Sequence, residues 1–492
     1  MKVVGYYPPV TLETSFPTWE PLQFVYLHRM LRVENISFAL IDGRIWKQDE
    51  RKEKIKQLLD NETLCFAVTS LTCYQIMDAI ETAKYVKSIR PDIQIIIGGW
   101  HASIFAEETL SLNEVDIVVR GQGEVTFIEL IKRLSQHKSV EGILGCSWKC
   151  DSKHIHEANR PITHPDELPK LLPEDFDILE LNHYQIHNIL FYMSSVGCPY
   201  ACHYCCIGAQ SKQKWIGLSA PKVLDELIEL HHRFHFKEVI FWDNVFFSNK
   251  KRVQDICKGL IESNVHISWS AHGRINEIAE WEDDFFSLLK QSGCSTLFLG
   301  VESGSQHVLD CIGKKIKAAD ILPVFRKLKT FGFNVAVNYM VGLPGETHAD
   351  IKKTMTAIKN GLTVFNYDLC LFNVYVYRFV PFPGTHLFSE LPKLKRLDYP
   401  TGSIEWGEYI HKTVKEGMAP WEEQNDTSLY ASSTFYLWKA YLNRETPKTL
   451  LGKLLKQISK LRVNTGFYRV PIEWLIWKIK RSTKIKNQKS KI

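Results

Sequence analysis

The chain has 492 residues, room for about two to four domains. Hydrophobic residues make up 45% and charged residues 24%, which excludes a largely disordered, collagen-like or fibrous chain. The net charge of +6 is mild for this length and gives no ground for a nucleic-acid partner. No stretch reaches the ~18 consecutive apolar residues of a spanning helix, and the first residues, Met1–Pro9, do not form a secretory signal. The expected compartment is the cytoplasm, where thiols stay reduced. The twelve cysteines are therefore read as candidate ligands or packing residues, and not as a disulfide framework.

Taken in chain order, the first third alternates short apolar strands with amphipathic helices. A mixed run from Val33 to Leu40 ends in the turn signal Ile41-Asp42-Gly43. Leu64–Val68 reads as a strand and Ile76–Lys87 as a helix, with Ile76, Ala79, Ile80, Ala83 and Val86 at helical spacing. Ile93–Ile97 is a strand ending in Gly98-Gly99. Val115–Val119 is another, followed by Gly121-Gln122-Gly123-Glu124 and a helix over Phe127–Leu134. This pattern predicts an open parallel sheet covered on both faces. Residues 141–185 read as a linker with a hairpin near Cys146–Ile155, broken by Pro161, Pro165, Pro169 and Pro173.

Alternation resumes with strands at Leu190–Ser194, Glu238–Trp242, Ser268–Ser270, Thr296–Gly300, Asn334–Val341 and Leu369–Val376. Helices fall between them at Pro221–Phe234, Phe285–Gln291, Ser305–Cys311, Ala319–Phe331 and Ala349–Asn360. Six strand-plus-helix units predict a complete or partial β/α barrel. The last hundred residues read as helical, with Trp421, Tyr430, Phe435 and Trp438 as apolar positions and a basic tail from Lys480. Val470–Ile479 ahead of that tail is either an amphipathic segment on an anionic membrane or a segment docked on the barrel; docking is the favoured reading.

The sharpest motif is Cys198-Pro199-Tyr200-Ala201-Cys202-His203-Tyr204-Cys205, in a loop opened by Gly197 after a predicted strand. Three thiolates at spacings of four and three can turn onto one metal centre. Iron–sulfur clusters are usually held by four thiolates, so three would leave one iron open. A zinc site is the alternative, with His203 as the available fourth ligand. Cys206 and the paired Cys146 and Cys150 read as packing residues.

The CxxxCxxC triplet with an aromatic residue before its third cysteine resembles the signature of the radical S-adenosylmethionine (radical SAM) superfamily. Ser292-Gly293-Cys294, Gly300-Val301-Glu302-Ser303-Gly304-Ser305, Val341–Thr347 and Pro381–Thr385 resemble later segments of the same family. The resemblance implies a [4Fe–4S] cluster on Cys198, Cys202 and Cys205. It also implies SAM bound by Tyr204 against the adenine, by Glu302 at the ribose or amino group, and by Gly342. The Gly-Gly-Glu segment common in the family is absent; Phe241-Trp242-Asp243-Asn244 stands there, and Asp243 is the substitute for the amino group.

The upstream segments Ile41-Asp42, Ser70-Leu71-Thr72, Ile97-Gly98-Gly99 with His101-Ala102, and Val119 with Gly121 and Gly123-Glu124 resemble the cobalamin-binding domain fused to many radical SAM enzymes. Ser70, Thr72, Gly98, Gly99, Gly121 and Gly123 would then contact cobalamin. The DxHxxG sequence that ligates cobalt in other cobalamin domains is absent, so the cobalt would lack a protein histidine.

The implied architecture is α/β. A doubly wound, Rossmann-like cobalamin domain spans 1–140, the linker 141–185, a partial (β/α)6 radical SAM barrel 186–390, and a helical region with a basic tail 391–492. The implied activity is cleavage of SAM to a 5′-deoxyadenosyl radical and methylation of an unactivated carbon of a small-molecule, lipid or peptide substrate. Flavodoxin or ferredoxin would supply electrons. Cyclisation or oxidative rearrangement of a tetrapyrrole or other metabolite without methyl transfer is the alternative, and a non-catalytic iron–sulfur or corrinoid carrier is a third reading. Tyr375, Tyr377 and Arg378 are candidates for the substrate pocket or the core.

Overall fold

The computed structural model describes residues 1–10, 19–151, 153–263, 265–395, 405, 408, 424–443, 447, 449–468 and 470–476. Its first sheet contains β1 (Lys2–Tyr7), β2 (Ser37–Asp42), β3 (Thr63–Thr69), β4 (Gln94–Gly98), β5 (Ile117–Val119), β6 (Cys146–Cys150) and β7 (Lys153–His156). The order is β2-β1-β3-β4-β5-β6-β7. The first five strands are parallel and the β6–β7 hairpin is antiparallel.

Alternation along β1 sends Val4 and Tyr6 to one core and Val3 to the other. Helices Gln48–Leu58 and Tyr74–Ile89 pack on the first face, and Leu22–Val33 and Glu124–Ser135 on the second. The expected doubly wound sheet is thus present. The 2-1-3-4-5 order places its switch point between β1 and β3, where ligands of such sheets bind beyond the strand ends.

Three elements of this sheet were not read from the sequence. β1 is interrupted by Gly5 and runs into Pro8-Pro9, so its apolar pattern is short. Helix Gln48–Leu58 buries only Arg51 and Ile55 and carries no apolar stripe. Helix Leu22–Val33 follows a proline without a side-chain cap. The hairpin expected within the linker extends the first sheet by pairing with β5.

The second sheet runs β15-β14-β13-β12-β11-β8, where β8 is Ile189–Tyr192, β11 Glu238–Phe241, β12 Ser268–Gly273, β13 Cys294–Glu302, β14 Asn334–Val341 and β15 Phe372–Arg378. All pairs are parallel and β8 and β15 are its open edges, giving the partial six-unit barrel. A separate antiparallel pair, β9 (Ser195–Gly197) and β10 (Trp215–Gly217), brackets the cysteine loop.

The outward face of the barrel is sealed: Leu190, Val239, Trp269, Leu297 and Phe372 are all fully buried under helices. The first-sheet unit and the barrel touch. Tyr184 Oη donates to Asp42 Oδ2 at 2.7 Å, Trp19 lies edge-on to Phe191 at 6.5 Å, and Tyr26 Oη exchanges hydrogen bonds with the backbone of Met193 at 2.9 Å.

The described C-terminal residues are helical as expected, over Gln424–Leu437 and Leu450–Thr465. Tyr430 and Phe435 are buried while Trp438 is exposed. Trp421 and the tail from Lys480 lie outside the described residues. Docking of the 470s is partial: Tyr468 and Trp474 are buried, but Val470, Ile472, Leu475 and Ile476 are exposed. Among the described residues no helix is long and apolar enough to cross a membrane.

Trp269 anchors the outer barrel layer, with its indole donating to Ser292 O at 3.0 Å and Phe241 edge-on at 5.6 Å. Replacing a buried aromatic of this kind leaves a cavity, so Trp269→Ala is expected to cost about 3–5 kcal/mol. Urea denaturation checks this; a loss below about 1 kcal/mol would show that the site collapses around the deletion.

Candidate active site

The cysteine loop springs from a closed base. Gly197 at φ +83° precedes Cys198, and a Cβ there would lie 2.1 Å from Lys214 O, so only glycine lets β9 and β10 approach. Arg252 donates to Ser194 O at 2.9 Å and Leu218 O at 2.5 Å, tying the two ends together. Asp243 is buried and accepts from Ser194 N and Oγ and from Ser195 Oγ. Burial raises its pKa despite these donors. The residue expected at the SAM amino group therefore has its carboxylate engaged at the base of the loop.

Within the loop, Cys198, Cys202 and Cys205 lie close enough to influence one another electrostatically. Among the described residues no three His, Cys, Asp or Glu are drawn together as a single ion would require. A four-iron cube, which takes one thiolate per corner, spaces its ligands more widely, and the all-sulfur donor set suits it. His203 does not join them. Its Nδ1 donates to Cys311 O at 2.9 Å and its ring stacks on His386 at 4.5 Å, which removes the fourth ligand from the zinc alternative.

Arg274 supplies the charge that the thiols need. It is 6% exposed, its Nη1 approaches Cys202 Sγ at 3.6 Å, its Nη2 donates to Lys314 O, and its guanidinium covers the Tyr200 ring at 3.7 Å. Among the described residues it makes no ion pair with a carboxylate. Its charge acts on the Glu277 carboxyl three residues on as well as on Cys202, and it is placed to offset an anionic cluster beside that thiol.

Tyr204 and Glu302 are brought together. Tyr204 Oη donates to Glu302 Oε1 at 2.9 Å, and Lys314 Nζ donates to both, at 3.1 and 2.7 Å. Burial, then the Glu302 charge, raise the Tyr204 pKa. The β13–β14 register shifts between Gly300 and Glu302, and Glu302 adopts φ +67°. Such bulges re-aim side chains, and a non-glycine residue held at positive φ marks strain kept by its surroundings. Gly300 leaves room for it: a Cβ there would lie 2.5 Å from Glu302 Oε1 and displace the carboxylate.

Gly342 has φ +83° and donates to Glu346 Oε2 at 2.8 Å. Glu346 Oε1 is buried without a partner, and burial pushes the carboxyl up to about 8.

On the first sheet, the expected cobalamin residues share the strand-end edge. Gly99 has φ +92°, and a Cβ there would lie 2.8 Å from Ser70 backbone atoms. Gly98 has more room, Gly121 has open space around a Cβ, and Gly123 caps the helix from Glu124. Thr72 Oγ1 meets His101 Nδ1 at 3.0 Å. His101 is fully buried and pushed down to about 3 by burial, hence neutral. Trp100 Nε1, His101 Nε2 and Gln122 Nε2 are buried without partners. Unpaired buried polar atoms are rare, and three on two neighbouring loops fit a large ligand rich in acceptors.

The barrel's inward face differs from its sealed outer face. Phe191, Trp242, His272 and Phe298 form a chain of ring contacts at 5.3, 5.5 and 5.0 Å. Tyr375 and Tyr377 stack on β15 at 6.2 Å. Trp242, Tyr375 and Tyr377 are 45%, 42% and 52% exposed. The strand register puts Thr296, Asn338 and Asn373 on the same face, with no charged strand residue between Glu238 at the base and Glu302 at the rim. His272 Nδ1 is buried without a partner, and burial pushes the ring down to about 4. Arg274, Lys314, Trp242 and His272 were missed in the sequence. For Trp242 and His272 a signal was available: both lie at a barrel strand end, where catalytic residues concentrate.

Residues 192–358 match the family model of the radical SAM superfamily and residues 9–131 that of the B12 binding domain. An uncharacterized methyltransferase of Pyrococcus horikoshii is 32% identical over 378 residues, covering 76% of this chain and 78% of that protein. The anaerobic magnesium-protoporphyrin IX monomethyl ester cyclase of Rubrivivax gelatinosus is 24% identical, covering 92% and 80%. The fold matches the radical SAM methyltransferase TsrM of Kitasatospora setae, solved with cobalamin and a [4Fe–4S] cluster, at a TM-score of 0.70, 12% identity, and 98% and 99% coverage.

The raised Glu346 carboxyl has a signed consequence. The folded state holds a proton that the unfolded state loses near 4.5, so stability falls as pH rises from there towards about 8. Glu346→Gln is expected to flatten this decline. Thermal melts of both proteins between about pH 5 and about pH 8 check it, and equal slopes would refute the assignment.

Proposed function

This chain belongs to the radical SAM enzymes that carry a B12 binding domain, enzymes that use a [4Fe–4S] cluster, SAM and cobalamin, and we propose that it methylates an unactivated carbon of an uncharged, apolar or ring-bearing substrate. Residues 1–140 hold the corrinoid, 186–390 the cluster and SAM, and the barrel lumen the substrate. When bound, these groups supply a hydrogen-abstracting primary carbon radical and a transferable methyl group. The protein contributes alignment and exclusion of water.

Cys198, Cys202 and Cys205 hold the cluster in this reading, and Arg274 offsets its negative charge. Glu302, fixed by Tyr204 and Lys314, orients the polar groups of SAM, and the bend at Gly342 gives its backbone to the adenine. Ser70, Thr72, Gly98, Gly99, Gly121 and Gly123 line the corrinoid, with the unpaired atoms of Trp100, His101 and Gln122 reaching its acceptors. Trp242, Tyr375 and Tyr377 stack on the substrate. His272, neutral at physiological pH, offers it one hydrogen bond without adding charge. Electrons come from a low-potential carrier such as flavodoxin or ferredoxin.

The observation that carries the reading is the uncharged aromatic lumen between a three-thiol loop and the first sheet, whose strand-end edge bears unpaired polar atoms. The cyclase relative, which spans more of the chain than the methyltransferase does, favours a second reading: radical rearrangement of a ring system without methyl transfer.

Anaerobic reconstitution with iron, sulfide and cobalamin separates them. With substrate, methyl transfer yields equal 5′-deoxyadenosine and S-adenosylhomocysteine, whereas rearrangement yields only the former. Cys202→Ala is expected to lose cluster absorbance and both products. Retention of iron and SAM cleavage by that variant would overturn the assignment of the loop.

A further inference from the structure

The helix Leu450–Thr465 is apolar on two sides. Ser459 and Val463 are buried against the protein. At about 100° per residue, Leu450, Leu451, Leu454 and Leu461 fall in one sector about 100° wide on the other side. They are 85%, 68%, 55% and 63% exposed. A surface helix in a globular protein normally turns such a stripe inward. Phe467, Val470, Ile472, Leu475 and Ile476 add further exposed apolar side chains just beyond it. Monomeric proteins rarely expose contiguous apolar patches of this kind unless something covers them.

The charge around the stripe selects the cover. Lys453 and Lys460 lie beyond one border of the sector and Arg462 beyond the other. From Leu450 to Ile492 the sequence has twelve Lys or Arg and one acid, Glu473. That acid is already spent on Arg462 at 2.7 Å. Residues 477–492 alone have seven Lys or Arg and no Asp or Glu. Two copies of this face would repel each other. An anionic bilayer would take the leucines among its acyl chains and the lysines at its headgroups, where long cationic side chains snorkel. A neighbouring polybasic segment adds a second, electrostatic hold.

We propose that the exposed leucine stripe of Leu450–Thr465, with the cations that flank it, is a peripheral docking surface for anionic membrane. It holds the enzyme at the bilayer surface without crossing it. This does not depend on the methyltransferase reading, because no residue of the face belongs to the cysteine loop, the lumen or the first sheet.

The test uses the full-length protein and vesicles of phosphatidylcholine alone or with one third phosphatidylglycerol. Pelleting with the anionic vesicles is expected to exceed that with neutral ones at least tenfold, and to fall in high salt. Leu450→Ser, Leu451→Ser and Leu454→Ser combined should reduce it at least tenfold, with melting temperature and SAM cleavage unchanged, since these side chains are exposed. Lys478→Gln, Lys480→Gln and Arg481→Gln combined should weaken it without touching the leucine stripe. Equal pelleting with both vesicle types, or undiminished pelleting of the leucine variant, overturns the proposal. So does a concentration-dependent dimer that the leucine variant abolishes, because the stripe would then be a contact between copies.

Discussion

The closure of the cysteine loop at its base is the constraint on which the candidate site depends. Arg252 bridges Ser194 O and Leu218 O, and Asp243 gathers the donors of Ser194 and Ser195. Both charged groups are buried, and they influence each other electrostatically. Removing either would leave the other buried and uncompensated, the costly case for interior charges. The long segment between Ser194 and Leu218 can therefore carry its thiols on a loop and still hold them against β12 and β13. A loop with loose ends would spend much of any cofactor-binding energy on its own ordering.

The same logic runs through the rim. Glu302 sits at a bulge, at positive φ, over a glycine that leaves room for its carboxylate. Tyr204 comes from the cysteine loop and Lys314 from the turn after Cys311, so three separate segments meet at one carboxylate oxygen. Local backbone strain persists only where the surroundings over-determine it. Three converging donors and acceptors meet that condition, and they tie the thiol loop to the strand that would orient SAM. Arg274 adds a cation that reaches a thiol of the loop, Cys202.

Much of this was legible because parallel sheets write themselves plainly. β14 is read to the residue, and the remaining barrel strands are found with edges displaced by up to three residues, since each is a nearly continuous apolar run between amphipathic helices. β1 and helix Gln48–Leu58 were not legible. One is a short run cut by glycine, and the other is a charged helix held by only two buried side chains. In the site, the thiols were visible because their spacing is local. Asp243 shows the limit of that approach. Its type and position suggested a ligand, but its donors come from residues nearly fifty positions away, a pairing no local pattern encodes. Arg274 and Lys314 were hidden for the same reason, being ordinary cations until the fold sets them beside sulfur and carboxylate.

The distribution of unpaired polar groups then explains why two sheets are needed. A protein that only had to fold would satisfy Trp100, His101, Gln122 and His272 internally, because each unpaired buried group costs about 1–3 kcal/mol. Three of these lie at the strand-end edge of the first sheet and one in the barrel lumen, all outside the apolar cores of the two sheets. Contacts such as Tyr26 to Met193, just past the end of β8, and Trp19 to Phe191 tie the first-sheet unit to the barrel. A chain that tolerates such costs in both units, while sealing its outer layers completely, has shaped that space for ligands that supply the missing partners. The neutral histidines at both places keep it free of added charge, which suits chemistry on an unactivated carbon better than chemistry on an ion.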